Sequence, residues 1–355
     1  METKVLYVDP NNLQSYESEL KSAADVIKQG GLVAFPTETV YGLGGDGTNP
    51  DAAKKIYSAK GRPSDNPLII HIAHPCDAEK YTYTSEIFYK LADRFMPGAL
   101  TVVLPAKESV PMATRGGLNT VAVRCPSHPV VHRLIELSGC AIAAPSANLS
   151  GSPSPTAAKH VIDDMNGRIE MIIDGGDSEI GLESTIVKIE DDGALTLLRP
   201  GGITVDELAC IAPVSIASAV TTKLDDGAVA LSPGMKYRHY APGAPLVLLD
   251  GEIDDYVNYI RNEGYTNIGV LCYTQDAKLI ADSLSDAHIL TLGARDDIRE
   301  QAHHLFAILR EADKLHLDKI YAPMPSTDGV GLALYNRMIR AAAHTIIRLR
   351  GEKNG

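Results

Sequence analysis

The chain has few of the features that place a protein in a membrane or outside the cell. No window approaches the roughly 18 consecutive apolar residues that span a bilayer. Residues 1–10 lack a basic region followed by an apolar one. The five cysteines are odd in number, widely spaced and form no C-x-x-C pair. We therefore expect a reduced cytoplasmic setting, with no targeting segment and no membrane contact.

Several motifs that bind nucleotides or activate serine are also missing. The chain contains no G-x-x-x-x-G-K-[ST] phosphate loop and no G-x-S-x-G, and no G-x-G-x-x-G opens the first strand and helix of the second predicted domain. No Ser, His and Asp can be assigned to a catalytic triad. The sequence therefore disfavours a serine hydrolase, and any ATP site must use an architecture other than the phosphate loop.

The charge balance disfavours a protein whose main role is to coat nucleic acid. Forty-five acids against 33 bases give a net charge of −12, which opposes binding to a phosphate backbone. A local basic pocket remains possible. The length of 355 residues exceeds that at which a single core usually keeps growing, so we predict two domains.

Apolar runs separated by turn residues predict an α/β fold in both domains. We predict a strand-rich domain over 1–202, a linker over 203–244 and a second domain over 245–355, where strands and helices alternate as in a parallel sheet. The predicted strands are Leu32–Phe35, Pro67–Ile72, Leu100–Leu104, Thr120–Arg124, Ala141–Ala144, Met171–Asp174, Thr185–Ile189, Leu195–Arg199, Leu246–Leu249, Asn267–Cys272, Ile289–Leu292 and Lys319–Ala322. The predicted helices lie near 20–30, 51–59, 85–95, 128–138, 156–165, 253–262, 275–283, 296–315 and 330–346.

Four polar clusters lie at the edges of predicted strands in the first domain. They are PTETVYG at 36–42, KGRP at 60–63, TVAVRCP at 120–126 and APSAN at 144–148. They supply hydroxyls and cations but no catalytic triad. Such groups suit a pocket that holds phosphates and a small polar substrate by positioning and charge. Nucleotidyl transfer is the reaction class that fits them first.

The cations in these clusters each have a structural alternative. Arg62 can bind phosphate oxygens in a bidentate way while Lys60 supplies a point charge, but KGRP is also typical of a solvated turn. Arg124 shares a strand face with Thr120, so it needs either a protein carboxylate or an anionic ligand as its partner. His71 on an interior strand is more often a core residue than a ligand. In the loop that follows Ala144, Ser154 is a possible helix cap.

Taken together and in order, the clusters resemble the threonylcarbamoyl-AMP synthase family in its two-domain form. The K-x-R and S-x-N signatures stand at 60–62 and 146–148. The likeness extends through PTETVYGLG at 36–44, S-T-I-V at 184–187, R-P-G at 199–201 and SPGMKYRHYAP at 232–242. The resemblance implies a YrdC-like twisted mixed sheet in the N-terminal domain and a smaller Rossmann-like parallel α/β domain at the C-terminus.

The resemblance also implies an activity and a set of site residues. L-Threonine, bicarbonate and ATP with Mg²⁺ are expected to give threonylcarbamoyl-AMP and pyrophosphate, which a downstream tRNA threonylcarbamoyl transferase uses to make N6-threonylcarbamoyladenosine. The residues expected around threonine are Thr39, His71, Arg124, Ala144 and Ser184. Those expected around ATP are Lys60, Arg62, Asn66, Thr120, Ser146, Ser154, Arg199 and Tyr240. Lys60, Arg62 and Asn148 are the catalytic candidates, and the sequence assigns no magnesium ligand.

Two other functions stay open at this point. An RNA-binding protein of YrdC-like fold is one, although the net acidity weighs against it, and a weak tRNA contact is compatible with either function. The other is a carbamoyl-adenylate enzyme acting on carbamoyl phosphate, against which the missing acylphosphatase-like and zinc-finger modules argue. The aromatic and cationic residues of 232–242 also suggest a lid that orders over bound ATP, since a flexible tether gains nothing from them.

Overall fold

A computed structural model describes residues 2–222 and 239–349 of the chain. It divides the chain into two compact units, Met1–Ser150 with Ser154–Tyr237 and Gly151–Pro153 with Arg238–Gly355. Residues 232–238 of the predicted lid, and 223–238 of the predicted linker, lie outside the described residues. Each unit is described below by itself.

The first unit is built on a mixed sheet of eleven strands in the order β1-β8-β2-β3-β7-β4-β6-β5-β9-β10-β11. Neighbouring strands β4 and β6 run parallel, whereas β7 with β4 and β5 with β6 run antiparallel. The strands are β1 Lys4–Tyr7, β2 Val33–Phe35, β3 Gly42–Asp46, β4 Ile69–His71, β5 Leu100–Pro105, β6 Thr120–Arg124, β7 Ile142–Ala143, β8 Met171–Asp174, β9 Thr185–Ile189, β10 Leu195–Arg199 and β11 Val214–Ile216.

Seven α-helices accompany this sheet: α1 Glu17–Lys28, α2 Pro50–Lys60, α3 Glu86–Phe95, α4 Met112–Arg115, α5 Pro129–Ser138, α6 Ala158–Met165 and α7 Val205–Ala209. Helix α2 illustrates how local sequence sets its ends. Asn49 accepts a hydrogen bond from the Asp51 amide at the start, where Pro50 suits the first turn. Gly61 ends it with φ of 61°, a conformation that favours glycine. This ending places Lys60 and Arg62 on either side of a fixed turn.

The predicted strands 120–124, 171–174, 185–189 and 195–199 are confirmed residue for residue. Strands β1, β3 and β11 were not predicted. Strand β3 reads GLGGD, and glycine is depleted in strands. Glycine is needed there because a Cβ atom on Gly44 would collide with the side chains of Phe35 and Ile142. Within the segment predicted as a linker, α7 and β11 form, and β11 pairs with β10.

The second unit is a parallel sheet flanked by helices. Its strand order is β14-β13-β15-β12-β16, with every pair parallel. Its strands are β12 Leu246–Asp250, β13 Ile268–Tyr273, β14 Ala287–Gly293, β15 Lys319–Pro323 and β16 Ile346–Arg348. Its helices are α8 Ile253–Glu263, α9 Ala277–Ser283, α10 Ile298–Lys314 and α11 Gly331–Ala341. Strand β16 was not predicted, and its first residue, Ile346, is the last residue of the predicted helix 330–346.

The two sheets confirm the predicted fold class, a mixed α/β unit followed by a smaller parallel one. The cores are separate, with Phe35, Val130 and Ile142 in one cluster of the first unit and Val247, Val270 and Tyr321 in the second unit. Among the described residues, no helix combines the length and apolar character that crossing a membrane requires.

Candidate active site

Strand register brings most of the predicted threonine residues to one part of the first sheet. His71 on β4 lies opposite Arg124 on β6, and Arg124 lies opposite Thr101 on β5. On its other side, His71 lies opposite Ile142 on β7, two residues before Ala144. These strands are immediate neighbours in the sheet. The site is therefore assembled from segments distant in sequence.

Arg124 has a protein carboxylate beside it, one of the two partners that its burial required. Its Nη2 lies 2.8 Å from Oε1 of Glu38, and both side chains are at least nine-tenths buried. Burial alone raises the pKa of the Glu38 carboxyl, but the Arg124 guanidinium more than offsets this and holds that pKa below its usual range. Arg124 Nε also donates to the Gly98 carbonyl at 3.3 Å. A buried arginine is thus oriented and kept charged in this region.

His71 is a neutral imidazole at physiological pH. Burial, followed by the nearby Arg124 charge, lowers the pKa of His71 to about 3. Its Nδ1 lies 3.3 Å from the Ile142 carbonyl. Because a carbonyl can only accept, this hydrogen bond has Nδ1 as the donor and leaves Nε2 as an acceptor. His71 is consequently suited to accept a hydrogen bond from a ligand.

Hydroxyl groups continue the site on the far side of Arg124. The Ser184 hydroxyl, immediately before β9, lies 2.7 Å from the Thr101 hydroxyl. Arg199 at the end of β10 donates from Nε to the Ser184 carbonyl at 3.0 Å and from Nη2 to its hydroxyl at 3.1 Å. Ser184 and Arg199 were predicted from the resemblance to contact different substrates. Because Ser184 and Arg199 are in direct contact, these two predicted residues lie side by side in the first unit.

Thr39 and Ala144 lie in buried backbone turns beside the same strands. The Thr39 hydroxyl is 2.9 Å from that of Thr37, which donates to the Val40 carbonyl at 2.6 Å. The Ala144 amide donates to the Ile69 carbonyl at 2.9 Å, which ties it to β4. Thr39 is therefore held in place by a local hydrogen bond and Ala144 by one to a neighbouring strand.

The Lys60 ammonium joins the two signature motifs. Its Nζ donates to the Ser146 and Asn148 carbonyls at 2.5 Å each, and lies 3.3 Å from Asn148 Oδ1. The Ser146 hydroxyl donates to the same Oδ1 at 2.5 Å. Lys60 is 3 % exposed, so the solvated-turn interpretation is wrong for the two cations, Lys60 and Arg62, although Gly61 and Pro63 between and after them are exposed. The Lys60 ammonium thus contacts three oxygen atoms of one loop. These contacts fix the S-x-N backbone and place a buried positive charge beside it.

Arg62 and Asn66 stand on the segment that leads into β4. Arg62 Nη2 donates to the Asn66 and Pro67 carbonyls at 3.3 and 3.2 Å, so the arginine folds back onto its own loop. Asn66 is fully buried, and neither its amide nitrogen nor its amide oxygen finds a hydrogen-bond partner among the described residues. Leaving such a group unpaired is costly. A ligand that supplies a donor and an acceptor would remove that cost.

The remaining predicted residues fall into three settings. Ser154 does not cap a helix, because α6 begins at Ala158 with Ala157 as its cap, and its hydroxyl instead donates to Glu183 Oε1 at 2.5 Å. Thr120 begins β6 and is half-buried. Tyr240 belongs to the second unit, where its ring stacks on Phe306 with centroids 5.2 Å apart and its backbone has φ of 64°. A tyrosine in that conformation is uncommon.

Sequence reasoning did not assign three residues that complete these contacts: Glu38, Thr101 and Glu183. Glu38 stands inside the motif PTETVYGLG and Glu183 immediately precedes S-T-I-V at 184–187, so the rule that a buried cation or hydroxyl needs a partner could have pointed to them. Thr101 is a polar residue in the apolar run LTVVLP, and that exception was its only signal.

The fold and the site define a two-domain α/β protein whose first domain holds buried cations and hydroxyls at neighbouring strand ends. The family described as "Telomere recombination" matches residues 25–201. The family described as "Threonylcarbamoyl-AMP synthase, C-terminal domain" matches residues 203–343. A threonylcarbamoyl-AMP synthase of Bacillus subtilis is 44% identical, covering 98% of this chain and 100% of the relative. The chain belongs to the threonylcarbamoyl-AMP synthase family.

Solved structures agree with this membership. The crystal structure of P. abyssi Sua5 complexed with L-threonine matches with a TM-score of 0.86 and 41% identity, covering 99% of this chain and 100% of that one. E. coli YciO matches with a TM-score of 0.51 at 22% identity over 56% of this chain. The second likeness concerns the fold of the first unit alone.

Proposed function

We propose that this protein is an L-threonylcarbamoyladenylate synthase, a nucleotidyltransferase that makes threonylcarbamoyl-AMP and pyrophosphate from L-threonine, bicarbonate and ATP. The product would serve a separate tRNA threonylcarbamoyl transferase, and a weak contact with tRNA is part of the same proposal. The cytoplasmic setting expected from the cysteine pattern belongs to it as well.

One observation carries the proposal most directly. The segment after β7 passes from Ala144, tied to β4 beside His71, to Ser146, whose carbonyl is bound by Lys60. Two residues span at most about 7 Å. The set proposed for threonine and the set proposed for ATP are therefore adjacent. An enzyme that joins a carboxylate to an α-phosphate needs its two substrates at this spacing.

In the proposed reaction the neutral amine of threonine first attacks the carbon of carbon dioxide and releases a proton to solvent, or attacks that of bicarbonate with loss of water, giving N-carboxythreonine. An oxygen of the new carboxylate then attacks the α-phosphorus of ATP. The bond from that phosphorus to the bridging oxygen breaks, and pyrophosphate leaves with the electron pair. No protein nucleophile is needed, in keeping with a site of cations and hydroxyls.

The described residues have distinct tasks in this scheme. Arg124, with Glu38 beside it, holds the carboxylate of threonine, and Nε2 of His71 accepts a hydrogen bond from its amine or hydroxyl. With its pKa near 3, His71 is too weak a base to remove a proton from an amine. It therefore orients the substrate and does not activate it.

The phosphates are assigned to the other set. Lys60 fixes the loop at Ser146 and supplies a positive charge beside it. Arg62 and Arg199 supply guanidinium groups. The Asn66 amide supplies both a hydrogen-bond donor and an acceptor. Asn148, Ser146, Ser154 and Thr120 complete the proposed ATP set of the first unit. Mg²⁺ enters with ATP as part of the substrate and neutralises phosphate charge.

The decisive experiment mixes the protein with ATP, Mg²⁺, bicarbonate and L-threonine and detects threonylcarbamoyl-AMP by mass spectrometry. We expect the product to appear with equimolar pyrophosphate and to vanish when threonine or bicarbonate is omitted. Carbamoyl phosphate offered in place of both substrates tests the carbamoyl-adenylate alternative. Product from carbamoyl phosphate, or tight binding of structured RNA without any adenylate, would overturn the proposal.

A further inference from the structure

A cluster of two histidines and a glutamate lies outside the proposed active site. His132 and Glu136 are one turn apart on α5, and His74 follows β4 by three residues. One possible ligand atom from each residue lies within 4.8 Å of the other two. Glu136 Oε1 is 3.7 Å from His74 Nε2 and 3.8 Å from His132 Nδ1. We propose that His74, His132 and Glu136 form a binding site for Zn²⁺.

The donor set and its spacing suit this ion. Imidazole nitrogen and carboxylate oxygen bind Zn²⁺ at about 2.0–2.2 Å, so two ligands of a tetrahedral ion stand roughly 3.3 Å apart. The distances from Glu136 Oε1 to the two imidazole nitrogens, 3.7 and 3.8 Å, exceed this value by about half an ångström at most, and all three possible ligand atoms lie within 4.8 Å of one another. Small rotations of exposed side chains can close that gap. Two histidines and one carboxylate leave the fourth position to water or another small ligand.

The neighbouring side chains prepare the carboxylate for this role. Arg133 Nη1 binds Glu136 Oε2 at 2.9 Å, which directs the other oxygen, Oε1, towards both histidines. The charge of Arg133 is itself balanced by Glu17, which accepts from Nη2 at 2.6 Å and from Nε at 3.1 Å. The guanidinium therefore orients Glu136 with little net repulsion of a cation.

The backbone that carries the three ligands is well supported. Ala73, next to His74, packs in the same apolar core as Val131, Leu134 and Ile135 of α5. The two ligand-bearing segments are thus held together without a metal. His74 and Glu136 also line a cavity of about 350 Å³, which gives room for a water molecule as the fourth ligand. A bound ion would join the loop after β4 to α5, three residues from His71.

The test uses the full, tag-free chain after treatment with a chelator. Zinc is titrated against a chromophoric competitor in excess Mg²⁺, which prefers oxygen ligands and leaves an imidazole site open. We expect one zinc ion per chain. His74→Ala, His132→Ala and Glu136→Gln should each weaken binding by about ten-fold or more, as loss of even an outer-shell partner does at zinc sites.

Matched controls separate this site from other donors. His288→Ala removes an exposed histidine from the second unit, and Cys76→Ser removes an exposed thiol close to His74 in sequence. Both variants should bind zinc as the wild type does. Cobalt(II) should give the visible absorption of a four-coordinate site in the wild type but not in His132→Ala. Zinc should also slow hydrogen exchange over residues 72–76.

Each outcome is decisive because the readouts do not depend on catalysis. Absence of stoichiometric zinc binding would reduce the cluster to a surface contact between Glu136 and the two histidines. Binding that survives all three ligand substitutions, or that is lost in Cys76→Ser, would place zinc elsewhere and overturn the proposal. Because His74 is exposed, its replacement tests the site even if a change within α5 lowers stability.

Discussion

The strands of the two sheets differ in what they bury. In the first unit, β4, β6 and β10 carry His71, Arg124 and Arg199, each less than one-tenth exposed. In the second unit, the five strands bury no charged residue. Its buried polar groups, Gln301, Arg310, Asn336 and Arg337, lie on α10 and α11.

This difference supports the proposal that the first sheet carries the active site. A charged group on an interior strand has lost its water, so it is retained only where a partner or a ligand compensates for the loss. Apolar strands in a parallel sheet need no such compensation. The first sheet therefore carries a site within its strands, whereas the second has the composition of a structural core.

Removing the cation that joins the two signature motifs should have the largest effect on catalysis. We expect Lys60→Ala to lower the turnover number by about a hundred-fold, the scale for losing one preorganised charge stabiliser. Stability should also fall, because the Ser146 and Asn148 carbonyls lose a buried donor. Threonine-dependent pyrophosphate release at saturating substrates measures the first effect, and urea unfolding measures the second.

A matched control lies on the same helix. Lys54 is an exposed residue of α2 that pairs with Asp51 at 2.8 Å, and Lys54→Ala should leave turnover within about two-fold of the parent. If Lys60→Ala retained parental turnover while it lost stability, Lys60 would have a structural role alone. The first unit would then contain a buried cation without a catalytic task.

The second prediction concerns substrate affinity. Arg124→Lys keeps the positive charge beside Glu38 but loses the planar, bidentate guanidinium. A hydrogen bond to a charged group contributes about 1.5–3 kcal/mol, so threonine affinity should fall by about ten-fold or more. ATP affinity should change much less. Isothermal titration calorimetry with each substrate separates the two effects.

An arginine of the second unit provides the comparison. Arg295 pairs with Asp276 at 2.5 Å and lies over the Tyr273 ring. Arg295→Lys should leave the threonine dissociation constant unchanged. Equal constants for wild type and a folded Arg124→Lys variant would remove Arg124 from the threonine site and weaken the contrast between the two sheets.

Much of this fold follows from sequence pattern because buried strands read as apolar runs. The four strands predicted residue for residue consist of such runs with clear turn residues at their ends. Strand β3 was not predicted, because its glycines produce no apolar run. Gly42 and Gly44 are present so that the Phe35 ring can pack against the strand backbone. That reason is a tertiary contact, which a local pattern does not contain.

The site residues also separate into features that the sequence pattern indicated and contacts that only the folded structure reveals. Residue type and position indicated that Arg124 needed a partner, but only the folded structure shows that Glu38 is the residue beside it. Lys60 was open to a solvated-turn interpretation because its acceptors lie 86 and 88 positions further along the chain. Long-range pairing therefore decides which of two chemically reasonable roles a cation takes.

The last prediction tests the burial of His71 through the pH dependence of stability. In the unfolded chain a histidine titrates near pH 6.5, whereas burial lowers the pKa of His71 in the folded protein to about 3. Between these values the unfolded state binds one more proton than the folded state. Stability should therefore rise with pH across this window by about 1.4 kcal/mol per pH unit from His71 alone, and it is lost as the pH falls below about 6.5. His71→Gln, which cannot titrate, should flatten the profile by that amount between about pH 5 and 6.5, as urea unfolding followed by circular dichroism would measure.

His288→Gln, an exposed substitution in the second sheet, should keep the wild-type profile. If wild type and His71→Gln gave parallel profiles, His71 would be accessible to protons and the interior of the first sheet would be less dry than its neighbours indicate.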